Sequence, residues 1–395
     1  MSYDAPFRGL KVIDLSQGVA GPYCAMLLAQ YGADVIKVEP LADGDWSRTL
    51  GKRYGQHTAY SIPANLGKRS IALDLKERAG KDVLWRLIVG ADVLIEGFRP
   101  GVLARLGFSY EAVAEIEPRL LYLSVSGFGQ TGPLTGRPAM DPVLQAFTGL
   151  SVDNKGEDGI PHRVPFIVVD MSTALYAFQA LSAALYARRD EQRGRRIEAS
   201  LMQTAGAMQV IRLNQSLLEG EQTKRSMPSG VFKSADGWLQ ILVIKNQHWV
   251  ALCDVMETPD MATDPRYVDS DARAHNEIEL MTWVRATIAA KPTAYWMERL
   301  QKADIMHERL NDFREFVAHP QVAATELISW LHVPGVPEPL AVPNLAGMPL
   351  LVDGTARATS PVLGQHTRAI LAEHGFAETE IDQLLESRVI AAVQR

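Results

Sequence analysis

The first half of the chain alternates between short apolar runs and longer stretches with one apolar face. Leu10-Lys11-Val12-Ile13-Asp14-Leu15 reads as a strand, and Ala25 to Tyr31 as a helix that Gly32 ends. Ala33-Asp34-Val35-Ile36-Lys37-Val38 is a second strand. Arg78 to Val89 is helical, with Val83, Leu84, Leu87 and Ile88 on one face. Gly90 stops it before the strand Ala91 to Ile95, and Leu120 to Val125 adds a fourth strand. Gly32-Ala33-Asp34-Val35 and Gly90-Ala91-Asp92-Val93 repeat one joint, a helix-ending glycine followed by strand entry. Strands alternating with helices predict an α/β fold of βαβ units on a parallel sheet, with right-handed crossovers.

The pattern then changes. Residues 166–187 read as a turn or strand end followed by a long helix. Arg195 to Ala199 is a short strand and Leu201 to Leu218 a helix. Glu219 to Arg225 reads as a linker. Beyond it, Trp238 to Ile244 is a strand, and helices follow around 247–256, 276–290 and 293–301, so 226–330 forms a second, smaller α/β domain. From 331 to 361 the chain is rich in proline and glycine, which predicts extended structure. Short helices around 366–374 and 378–387 close it.

Composition narrows the class. A chain of 395 residues is long enough for two to three domains at about 150 residues each. Its 47% hydrophobic and 22% charged residues are those of a globular protein. A net charge of −6 argues against a nucleic-acid coat. Cys24 and Cys253 make no disulfide framework, which points to a reducing compartment, and the start of the chain has no signal-peptide pattern. Met171 to Ala187 carries no charge but is short for a membrane span of about 20 residues; a buried core helix is expected. The nine histidines are scattered and suggest no metal site.

Four motifs carry candidate chemistry. Gly127-Phe128-Gly129-Gln130-Thr131-Gly132 has the spacing of a dinucleotide fingerprint, yet Pro133 follows and no helix begins until about Val143; a glycine loop beside an active site fits better. Gly67-Lys68-Arg69-Ser70 lacks the earlier glycine of a P-loop. Gly21-Pro22-Tyr23-Cys24 stands where the first helix opens, a place for an anion, with Cys24 read as a small buried residue. Asp170 precedes the uncharged helix. It reads as an N-cap, or, in a dry pocket, as a covalent nucleophile. Asp141, before Pro142, is open to the same capping reading.

One ordered series of segments goes further. Leu10 to Ser16 leading to Ala20-Gly21-Pro22-Tyr23, Leu28 to Pro40, Asn65 to Ser70 with Leu73 to Lys76, Ala91 to Val102, Ser126 to Pro133, Asp170 and the helix end Ala183 to Arg188 together resemble the class III CoA transferases, the formyl-CoA and carnitine-type (CaiB/BaiF) enzymes. The resemblance is strongest over 9–205. It implies a Rossmann-like large domain made of 1–225 and a return segment 331–395, a small domain 226–330, and two chains interlocked as a homodimer in the cytoplasm. It implies CoA transfer between an acyl-CoA and a carboxylic acid, with Asp170 as the nucleophile that forms aspartyl anhydrides and an aspartyl-CoA thioester. Coenzyme A contacts fall on Val19, Ala20, Leu73, Asp74, Leu75, Lys76, Gly97, Phe98, Arg99, Arg105, Arg137 and Met140. Gln17, Gly127, Gly129 and Asp141 fall on the loops around the substrate.

The sequence also departs from formyl-CoA enzymes. Val19 and Pro40 replace a glutamine and an arginine, and Arg225 to Gly230 stands in place of a glycine-rich loop, which points away from oxalate as acceptor. The related α-methylacyl-CoA racemases carry a histidine where this chain has Met140. A racemase using Asp170 as base is the alternative; a nicotinamide oxidoreductase and a non-catalytic CoA binder stand behind it. No nucleic-acid or membrane partner is expected.

Overall fold

A computed structural model describes residues 5–156, 158–220 and 227–393. The chain divides into two compact units, Met1–Val210 with Ala324–Arg395, and Ile211–Ala323. The expected junction at 225/226 and most of the expected linker lie outside the described residues. In chain order the strands of the first half are β1 Lys11–Asp14, β2 Asp34–Glu39, β3 Arg69–Leu73, β4 Val93–Glu96, β5 Leu121–Ser126 and β6 Arg196–Ser200. Then come β7 Gly230–Lys233, β8 Trp238–Leu242, β9 Met306–Arg309, β10 Ile328–Leu331, β11 Leu340–Pro343 and β12 Ile390–Ala391.

The first unit is built on a seven-stranded sheet in the order β12-β3-β2-β1-β4-β5-β6. β1 to β6 pair in parallel, and β12 joins β3 antiparallel through Ile390 and Leu73. The helices that matter here are α1 Ala20–Gln30, α2 Arg78–Ile88, α3 Asp141–Phe147, α4 Val168–Ala187 and α5 Leu201–Met208. α1 and α4 cover one face, where Cys24, Leu28, Ala174, Ala177 and Leu181 pack with Val12, Val35, Val93 and Leu123. α2 covers the other with Val83, Leu84, Leu87 and Ile88, joined by Ile370, Leu371 and Ile381 from the end of the chain. A sheet covered on both faces needs apolar residues at successive positions, which is why Val93-Leu94-Ile95 does not alternate. Each fully buried Leu or Ile contributes about 1.5–3 kcal/mol.

Strand order reverses between β1 and β4, and in doubly wound sheets that is where a crevice opens beyond the strand ends. Some expectations are corrected. β3, a strand that was not expected, begins within Gly67-Lys68-Arg69-Ser70, at Arg69. The helix expected over Leu201–Leu218 is two, α5 and Val210–Glu219, broken at Gln209, whose Nε2 donates to Ala205 O at 2.9 Å and Thr148 Oγ1 at 3.1 Å. α4 buries one face only; Leu175, Tyr176 and Tyr186 stay exposed on the other.

The second unit pairs β7, β8 and β9 as an antiparallel sheet. Helices Asn246–Val255, Glu277–Ala289 and Thr293–Lys302 supply Trp249, Leu252, Leu280, Val284, Trp296 and Leu300 to its core. Buried Arg273 donates to the carbonyls of Met227 and Tyr267, fixing the chain as it enters β7.

Candidate active site

A cavity of about 410 Å³ lies at the reversal point. The loop after β1 gives Gln17 and Val19, and the first turn of α1 Ala20 and Gly21; the turns after β4 and β5 give Gly97 and Gly127; the approach to α3 gives Ala139 and Met140; α4 gives Asp170. Seven of the residues expected at the site therefore share one cavity: Gln17, Val19, Ala20, Gly97, Gly127, Met140 and Asp170. Ser126, the first residue of the glycine segment, lines it too, as do Trp46, Val125 and Leu201, which had no sequence motif. For Trp46 the one available signal was a tryptophan inside a polar Asp43-Gly44-Asp45 stretch.

Asp170 is not the cap of its helix. α4 begins at Val168, and Asp170 sits in its first turn with its side chain toward the cavity. The cap comes from elsewhere: Oδ2 of Asp141, the first residue of α3, accepts from the amides of Val169 at 2.6 Å and Asp170 at 3.1 Å. Burial, and after it the Asp141 carboxylate, push Asp170 up to about 7. Both causes favour the protonated form of the carboxyl.

The opposite wall is the loop Ser16–Val19. Lys37, on β2, donates to Ser16 O and faces Asp45. Asp45 Oδ1 in turn accepts from the amides of Gly18 at 2.8 Å and Ser47 at 2.9 Å. Lys68 Nζ lies 2.8 Å from Asp14 Oδ2 and 2.7 Å from Pro22 O, tying the first turn of α1 to β1. Lys68 is thus a buried structural cation rather than a phosphate ligand. Cys24 is fully buried and burial pushes its thiol far up, so it is no nucleophile.

The other expected contact residues are more dispersed. Leu73 is buried at the end of β3, with Asp74, Leu75 and exposed Lys76 in the turn that follows; Asp74 accepts the Lys76 amide at 2.8 Å. Phe98 follows Gly97, its amide bound by Glu96, and Arg99 and Arg105 are exposed beyond it. Arg137 lies over the Phe128 ring at 5.6 Å and lines a neighbouring groove with Val143 and Phe147 rather than this cavity. Gly129 has φ +100° in the turn after β5 but is not part of the cavity lining. Asp141 stands behind the cavity, 1% exposed. No helix opens within Gly127 to Gly132, so the geometry of a dinucleotide fingerprint is missing.

The sequence matches the family model for CoA-transferase family III over residues 7–367. It is 36% identical to an acetyl-CoA:oxalate CoA-transferase of Acetobacter aceti over 335 residues, covering 82% of this chain and 85% of that one. It is 30% identical to the succinyl-CoA:glutarate CoA-transferase of Homo sapiens, covering 98% of this chain and 90% of that one. Among solved structures, Rv3272 of M. tuberculosis superposes with a TM-score of 0.82 at 28% identity, over 94% of this chain and 100% of that one. A CAIB/BAIF family protein of Brucella suis does so with 0.81 at 29% identity and the same coverage. With its mixed α/β fold and largely parallel sheet, the chain belongs to CoA-transferase family III and is a CoA-transferase enzyme.

Proposed function

We propose that the chain moves CoA from an acyl-CoA to a carboxylic acid with Asp170 as the covalent nucleophile. The observation that carries this is the placement of Asp170 on a cavity shared with Gln17, Gly97 and Gly127 at the reversal of the sheet. An Asp170 oxygen attacks the thioester carbonyl; the C–S bond breaks, CoA leaves as thiolate, and an acyl-aspartyl anhydride remains. The thiolate attacks the aspartyl carbonyl, releasing the donor acid and leaving an aspartyl-CoA thioester. The acceptor carboxylate attacks that thioester to form a second anhydride. The returning thiolate then takes the acceptor acyl group and frees Asp170. Covalent catalysis divides one difficult exchange into easier ones. Each attack develops an oxyanion that backbone amides must meet, and Gly127 and Gly129 are placed in the turn assigned to that task.

Val19, Ala20 and Gly97 take the pantetheine end of CoA in this reading, with Met140 beside them. Leu73, Asp74, Leu75, Lys76, Phe98, Arg99, Arg105 and Arg137 take the nucleotide end, the basic ones as phosphate ligands. The enzyme acts in the cytoplasm as an interlocked homodimer; the exposed apolar face of α4 supports only the presence of a second chain against it. Segments 1–225 and 331–395 together form the CoA-binding domain. The racemase alternative is not favoured: Met140 has no proton to exchange, and the relatives named above are transferases.

Those relatives define the first probes. One is named for oxalate and the other for glutarate, so both acids belong in the acceptor panel although the sequence departures pointed away from oxalate. Intact-mass spectrometry after incubation with acetyl-CoA or succinyl-CoA is expected to find a CoA-sized adduct at Asp170, absent from Asp170→Ala. No adduct, with deuterium entering the α-carbon of a branched acyl-CoA, would replace the transferase mechanism by racemisation.

A further inference from the structure

The amides that open α4 are the groups a carboxylate at position 170 would otherwise draw on, because a helix N-terminus stabilises an anion through its free N–H groups. Here two of them are already taken. Asp141 comes from a different helix, and its Oδ2 holds the amides of both Val169 and Asp170. Its other oxygen is occupied as well, accepting from Gln145 Nε2 at 2.6 Å. Gln145 is fully buried and closes on Val164, whose amide it binds at 2.8 Å and whose carbonyl it meets at 3.3 Å. α3 thus fixes both the head of α4 and the strap that leads into it. The β1 and β4 loops, the end of β5 with the turn after it, and α5 bring Gln17, Gly97, Ser126, Gly127 and Leu201 to the cavity, and among the described residues Asp170 is the charged side chain on its lining. Asp141, immediately behind, is the charge that faces it.

We propose that Asp141 and Gln145 are positioning residues for CoA transfer: Asp141 withholds the α4 amides from Asp170 and sets a second carboxylate behind it, so that attack of Asp170 on the thioester relieves the repulsion between the two. This rests on Asp170 being the nucleophile. As its oxygen bonds to the acyl carbon, negative charge passes from Asp170 to the carbonyl oxygen and then to the departing thiolate. The anhydride and the thioester at position 170 are both neutral. A repulsion present in the free enzyme and lost along the bond-forming path lowers the barrier, whereas uniform binding would not. Gln145 keeps Asp141 facing the amides. With both oxygens occupied, Asp141 acts through Asp170 rather than by touching substrate.

The test reads Asp170 directly, without substrate. Protein carrying carbon-13 in its aspartate carboxyls is titrated by NMR, and the Asp170 signal is identified by its absence in Asp170→Asn. The wild-type signal is expected to titrate near 7. Asp141→Asn keeps an oxygen for the amides but removes the charge, and is expected to lower that midpoint by about one pH unit or more. With the acyl-CoA that labels Asp170, the same variant loses kcat while KM for the thioester holds, and Gln145→Leu shows a smaller loss of the same kind. A wild-type Asp170 titrating near 3.8 overturns the proposal whatever the variants do. So does an unchanged midpoint in Asp141→Asn, even where the adduct forms. A shifted midpoint with no adduct from any acyl-CoA overturns the nucleophile reading as well.

Discussion

Lys37 Nζ stands 2.9 Å from Asp45 Oδ2 with both side chains sealed from solvent, and that pair holds one wall of the cavity that Asp170 lines. Asp45 accepts the Gly18 amide, so the loop between β1 and α1 is pinned by a residue 27 positions further along. Asp45→Asn can keep the Gly18 contact but leaves Lys37 with only Asp14, at 3.6 Å, and the Ser16 carbonyl as partners, and weakening a buried pair costs up to about 3–5 kcal/mol. Denaturant unfolding is expected to show that loss. KM for the acyl-CoA should rise, since Val19, proposed to take the pantetheine end, belongs to the same loop and Ala20 opens the helix that follows it. A destabilised variant with wild-type kinetics would detach the loop from the pair.

Asp170 sets a cost in stability that its own removal reveals. Its folded-state pKa lies near 7, above the ordinary 3.8, because of burial and then Asp141. A carboxylate raised in the folded state binds its proton more tightly there, so this contribution is fully present below 3.8 and is lost as pH rises toward 7. Asp170→Asn removes the group. It is expected to raise Tm at pH 8 by about 2–4 °C while leaving Tm at pH 4 little changed. Calorimetry at the two pH values decides it; equal shifts at both would remove the electrostatic explanation.

Histidine 57 has the opposite sign. Its burial, and next the nearby Arg48, hold the imidazole down to about 4 from 6.5, so it is neutral in the folded chain. Stability from this group is present above 6.5 and is lost as pH falls toward 4. Asp14 adds to the loss at lower pH: burial alone would raise it, but Lys37 and Lys68 hold it below 3.8. His57→Gln is expected to flatten the fall in unfolding free energy between pH 6.5 and 4, read from urea titrations. A slope identical to wild type would mean that His57 takes up its proton while folded.

Much of this was legible in the sequence because the parallel sheet writes itself in apolar runs. Val12-Ile13 and Val93-Leu94-Ile95 each pack both faces, and the glycines at 32 and 90 mark the joints. Asp170 was legible as a residue but not in its role within the helix: whether it caps α4 depends on Asp141, 29 positions earlier, and no local pattern records that contact. The same holds for Arg188 at the end of α4, which is buried and donates to Asp92 at 2.7 Å, a contact 96 positions away in sequence. Trp46 was missed because its placement follows from Asp45 and Gly18, not from its neighbours in sequence. Long-range hydrogen bonds of buried polar groups are what the pattern of apolar positions leaves out.

The packing of Trp46 on Gly18 makes the last prediction. Gly18 has φ +86°, a conformation that costs an L-residue about 1–2 kcal/mol. A Cβ there would stand 2.9 Å from Cε2 of Trp46 and nearer still to Cζ2, so alanine must push the indole away from the cavity wall. Displacing a wall by about 1 Å can cost about 10²-fold in rate. Gly18→Ala is therefore expected to lose both stability and kcat/KM with the acyl-CoA that labels Asp170. Trp46→Ala removes the ring that the new methyl would strike, leaving only the backbone strain. If the clash is the cause, the two substitutions are non-additive, and the double variant falls short of the summed stability losses. Additive losses would mean that the left-handed backbone at Gly18, not the indole above it, is what the site depends on.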